Sequence, residues 1–173
     1  MFDLNEINNS LNSNPYLNND IKENFMELIS IFNKNFPNVD LSNLKERLKT
    51  VKILKGSKFL LNGDSAYNPI SNEILISLTK ITDSSDCRHI LMREILNMIT
   101  AKDNYTGFNV NHEHEALNIG YTEILTNFLV GNEDNSLYED EIIEADLITK
   151  LIGPDAIYKA YFNNDVNIIL DAI

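Results

Sequence analysis

Arg93-Glu94-Ile95-Leu96-Asn97 sits inside an apolar-periodic run, and Asn118-Ile119-Gly120-Tyr121-Thr122-Glu123 opens a second one. The stretch from Asp86 to Glu123, which holds both, decides the fold. Leu91, Met92, Ile95, Leu96, Met98 and Ile99 recur at helical spacing and form an apolar side, while His89, Arg93 and Asn97 form a polar stripe beside Glu94. Ser84 or Ser85 can cap this helix, which the pattern carries to about Thr100. A polar loop with Gly107 follows, then helices near His114 to Val130, Leu137 to Ile152 and Pro154 to Phe162, with Gly153 as a stop and Pro154 in a first turn.

Upstream of this stretch the period changes. Val51 to Leu54 and Ser57 to Leu61 read as short strands around Gly56, Asn62-Gly63-Asp64 as a turn, and Tyr67 and Pro69 as loop. Asn72 to Ser77, with Ile74, Leu75 and Ile76, reads as a further strand. Asp20 can start a helix through Ile21, Phe25, Leu28, Ile29 and Phe32 that ends before Pro37. Asp40 is a plausible cap for a short helix with Leu41, Leu44 and Leu48 on one side and Lys45, Arg47 and Lys49 turned to solvent. Met1 to Asn19, rich in Asn and Ser, reads as an extended or partly ordered lead-in. The expected fold class is α+β, a small twisted β-sheet packed on a mainly helical C-terminal half. The expected organisation is one domain over 1–173, with 1–50 as lead-in and packing helices and 51–173 as the core.

A chain of 173 residues with 43% hydrophobic content can bury a real core. Its net charge of -12 opposes capture of a phosphate backbone, so nucleic acid is not an expected partner. One cysteine, Cys87, excludes an internal disulfide, and it reads as a small buried hydrophobe. The first residues lack the basic and apolar regions of a signal peptide, and no segment approaches about eighteen uninterrupted apolar residues. The expectation is a cytoplasmic protein with no membrane partner. The abundant asparagines suit turns and caps. Glu139, Asp140, Glu141, Glu144 and Asp146 read as a solvated helix face, and no glycine-rich phosphate loop or calcium loop is present.

A helix that holds zinc for hydrolysis needs two ligands four residues apart, so that both face one side, with a glutamate beside them to activate water. Here those ligand positions hold Arg93 and Asn97, around a retained Glu94. With its preceding strands, the loop Lys102-Asp103-Asn104-Tyr105-Thr106-Gly107-Phe108 and the second motif, the chain resembles a small zincin metallopeptidase domain. The resemblance is to the gluzincin kind, whose second motif often reads Asn-Glu-Gly-x-Thr-Glu. It implies that Arg93 stands at the first ligand position, Glu94 at the general-base position, Asn97 at the second ligand position and Ile119 at the third. Glu123 then matches the acid that supports a ligating histidine from behind.

What the resemblance implies is a zincin-like form with a degenerate His-Glu-x-x-His motif, no zinc and no catalysis: a pseudopeptidase, with a peptide or protein as its candidate partner. That partner would lie along the strand Asn72 to Ser77, expected at or near a sheet edge, unless the N-terminal lead-in covers that edge. Arg93 is expected in the space of the missing metal, paired with Glu123 and Glu94. The alternative is a metal-dependent hydrolase with zinc held by relocated ligands from His89, His112 and His114. Against it, His112 and His114 read more readily as exposed loop residues just before a helix, where acidic neighbours suit its N-terminus.

Overall fold

The computed structural model describes residues 3–56, 64–77, 84–110, 113–131 and 138–172. Asp3 accepts a hydrogen bond from the Asn5 amide and starts α1 (Leu4–Ser13), where the composition predicts an extended lead-in. The reason is a narrow apolar seam: Leu4, Ile7 and Leu11 lie on one face, and Ile7 and Leu11 are fully buried in the core. Asn14 then ends the helix with its amide between the carbonyls of Leu48 and Val51, at 2.8 and 3.0 Å. The N-terminal segment therefore packs on the helices and does not run along the sheet.

Asn18 caps α2 (Asn19–Asn35) by accepting from the Ile21 amide at 2.9 Å. In α3 (Ser42–Leu48), Asp40 accepts from both the amide and the hydroxyl of Ser42, one residue further out than a conventional cap. Arg47 is not turned to solvent as its sequence neighbours suggested. It donates to the Tyr67 hydroxyl at 2.6 Å, the Pro69 carbonyl at 2.9 Å and the Asn43 side chain at 3.0 Å, pinning α3 to the sheet.

The sheet holds β1 (Lys52–Gly56), β2 (Ser65–Asn68) and β3 (Glu73–Ser77) in the order β1-β3-β2, with β1 parallel and β2 antiparallel to β3. Two expectations are corrected. The segment around Tyr67 is a strand rather than a loop: its turn into β3 is set by Asn68 accepting from the amides of Ile70 and Ser71 and by Asn72 at φ 55°. And β3 is the central strand, not an edge, so its backbone groups are taken on both sides and a peptide cannot add along Asn72 to Ser77. Among the described residues, β2 has no strand on its other side. The expected strand Ser57 to Leu61 and the turn at Asn62-Gly63 lie outside the described residues.

The helical half follows in the expected order as α4 (Ser84–Ile99), α5 (Glu115–Val130), α6 (Glu139–Ile152) and α7 (Pro154–Asn163), and a short α8 (Asn167–Leu170) that the sequence reading did not include comes after them. One core cluster joins α1 to α8, from Ile7 through Phe25, Leu44, Ile74, Leu96 and Tyr161 to Ile169. The architecture is α+β, and no helix among the described residues is long and apolar enough to cross a membrane. Cys87 is half-buried against this core, and burial pushes its thiol pKa up, away from thiolate chemistry.

Asparagine does more here than fill turns. The Asn43 amide nitrogen reaches the carbonyls of Met98, Ile99 and Ala101 at 3.0, 3.2 and 2.7 Å, satisfying the C-terminal end of α4 from a different helix. Asn43→Ala is expected to destabilise the protein by about 1–2 kcal/mol, because those carbonyls and Arg47 lose a partner in a half-buried site. Urea denaturation measures it, and a loss under about 0.5 kcal/mol would show that water replaces the amide there.

Candidate functional site

Helix α4 runs through the middle of the molecule, against α2, α3, α5 and β2, so its polar stripe is buried along with its apolar side. Glu94 is fully buried and Arg93 is 8% exposed, which forces each to find partners inside the protein. Arg93 donates from Nη1 to Glu123 Oε1 at 3.0 Å and from Nε to Glu94 Oε1 at 3.3 Å. Its Nη2 reaches the carbonyl and the hydroxyl of Ser65 on β2, at 2.8 and 2.6 Å. The Tyr138 ring, at the start of α6, lies 5.2 Å from the guanidinium carbon. Burial alone would lower the Arg93 pKa, but the negative charges of Glu94 and Glu123 and the hydrogen bond to Glu123 outweigh it and the net shift is upward.

Glu94 is saturated in turn. Its Oε1 accepts from the Ser65 hydroxyl in a short contact and from Arg93, and its Oε2 accepts from the Asn97 amide at 2.9 Å. Glu123, on α5, shares its second oxygen with His89, whose Nε2 lies 3.5 Å away and also bonds Asn127 Oδ1 at 3.0 Å. Two carboxylates, a guanidinium and an imidazole therefore form one buried network that locks α4, α5 and β2 together.

The residues singled out in the sequence fall into place as follows. Arg93, Glu94, Asn97 and Ile119 line one cavity of about 200 Å³, so the helix spacing and the second motif do converge. Glu123 lies behind Arg93, one turn along α5 from Ile119, and the expected Arg93 pairs with Glu123 and Glu94 both form. His89 lies on the Glu123 side of α4. His114 is exposed and has left-handed backbone at the start of α5, and His112 lies outside the described residues.

The donor set does not fit zinc. A guanidinium and an isoleucine have no lone pair to offer, and the one remaining atom, the Asn97 Oδ1, is a poor zinc ligand by itself. Among the described residues, no three of His, Cys, Asp and Glu converge to hold a metal ion.

Ser65 and Tyr138 were not legible in advance. Ser65 lies in a four-residue strand with little apolar signal, and Tyr138 reaches the site only because α6 folds back across α5. Two residues shape the second motif. Asn118 accepts from the Phe108 amide at 3.0 Å, holding the loop against α5. Gly107, at φ +51°, faces that same Asn118 oxygen so closely that a Cβ would meet it at 2.1 Å.

A larger cavity of about 540 Å³ adjoins the first and shares Ala66, Tyr67, Thr106 and Asn109 with it. Both border β2 and the loop before α5, the larger one lying over the sheet face that carries Leu54, Leu75 and Ala66. Comparison of the chain with family models, with characterised proteins and with solved structures gave no match.

Proposed function

We propose that the chain is a zincin-like pseudopeptidase, a non-catalytic protein whose cleft holds an extended peptide or protein segment alongside β2. The observation that carries this reading is the buried Arg93 network at the position a metal would take. With Glu94 accepting from Ser65, Arg93 and Asn97, its carboxylate is not placed to deprotonate water, and without a metal that water is a poor nucleophile at neutral pH. What remains is a cleft beside β2, which among the described residues pairs with a strand on its β3 side only, and such a strand can take up a chain by backbone hydrogen bonds. With a single thiol the protein needs no oxidising compartment, and the proposal places it in the cytoplasm.

Protein purified without chelators or an affinity tag is expected to contain no stoichiometric zinc and to cleave no peptide above background. The converse carries more information. Arg93→His, Asn97→His and Ile119→Glu together put two imidazoles four residues apart on α4 and a carboxylate opposite them, and this triple variant is expected to bind one zinc. A folded triple variant that takes up no zinc by elemental analysis sinks the proposed correspondence.

A further inference from the structure

The cleft flanks β2 with two different surfaces. Leu54, Leu75 and Ala66 lie in register across β1, β3 and β2, on the face opposite the buried Ile74, and all three line the larger cavity together with Ile70, which is 76% exposed. The smaller cavity, over α4, is polar and acidic. Glu94 borders it, Glu115 stands exposed at its rim, and Arg93 is the one cation among the described residues that line it, already engaged by Glu94 and Glu123. At the joint between the two, Asn109 Oδ1 is buried with no hydrogen-bond partner among the described residues.

An extended chain points successive side chains to opposite sides. Resting on the reading of this cleft as a peptide groove, we infer that it selects an extended segment in which large aliphatic side chains alternate with a basic one. The aliphatic residues cover the Leu54–Leu75–Ala66 row, and the basic residue between them meets the exposed Glu115 at the rim of the smaller cavity. The overall charge of -12 steers a basic segment toward the protein and repels an acidic one.

The test uses the full chain and three capped, fluorescein-labelled peptides read by anisotropy: Thr-Leu-Lys-Leu-Thr, the same with Glu for Lys, and the same with Ser for both Leu. The first is expected to bind about tenfold or more tightly than either of the others, from one charge reversal or from loss of two buried aliphatic groups. Two surface variants bear on the two sides separately: Leu54→Ser weakens only the Leu-containing peptides, and Glu115→Lys reverses the preference between Lys and Glu. Equal binding of all three peptides overturns the selectivity while leaving a peptide groove in place. Binding of none of them overturns both the selectivity and the groove.

Discussion

Arg93→Met is expected to destabilise the protein by about 3–5 kcal/mol, the loss typical of a buried ion pair that keeps one partner and loses the other. Glu94 and Glu123 stay buried in this variant and face each other's charge without the guanidinium, and the Ser65 carbonyl on β2 loses its donor. Glu123→Gln alone costs less, because Arg93 keeps Glu94 and Ser65. In the double variant one charge of each sign is gone, so its loss falls short of the sum of the two singles by about 1.5 kcal/mol or more. Urea denaturation of the four proteins measures this. Coupling near zero would mean that Arg93 does not act through Glu123, and the pairing argument fails.

The sign of the Arg93 shift fixes what pH does to this network. A cation with its pKa raised on folding contributes stability that is fully present below its unfolded pKa and is lost only as pH climbs through the folded value. Both values lie on the strongly basic side, so Arg93 keeps its charge and its contribution throughout the neutral range.

Gly120→Ala is the second large effect. A Cβ at this position would stand 1.9 Å from the Glu141 carbonyl oxygen, 2.4 Å from its carbon and 3.0 Å from the Ala145 Cβ. The first two atoms belong to the backbone of α6, so no side chain can swing aside and the helices must separate. Overpacking of this kind costs about 3 kcal/mol or more, against about 1 kcal/mol gained from alanine's helix propensity. A net loss of about 2 kcal/mol is expected on that balance. Because α6 starts at Tyr138, a shift of α6 also lifts the phenol from Arg93, and changed tyrosine fluorescence should accompany the loss. A Gly120→Ala protein as stable as the parent would show that α5 and α6 do not approach so closely.

The α4 and α5 patterns were legible because a buried helix repeats its apolar residues over several turns, and a repeat of that length leaves few alternatives. The same reading brought Arg93, Glu94, Asn97 and Ile119 to one cavity and paired Arg93 with Glu123. The β2 strand escaped it because four residues, Ser65 to Asn68, carry too short an alternation to outvote the turn-forming residues around them. The order of the strands escaped it too, because side-chain alternation reports which faces are covered and not which strands are hydrogen-bonded at each edge. The α1 helix was hidden by its composition: its Asn and Ser residues lie mostly outside the seam that holds it.

By itself, then, the sequence determined the helix faces and the α+β class, since each follows from residue type and local spacing. Which further groups close around Arg93 was decided by the tertiary structure: Ser65 comes from β2 and Tyr138 from the start of α6. The same holds for Asn43, whose amide finds three carbonyls at the far end of another helix. The physical reason is common to both. A buried polar group is satisfied by whatever the packing brings within hydrogen-bond reach, and that partner's position along the chain leaves no periodic trace.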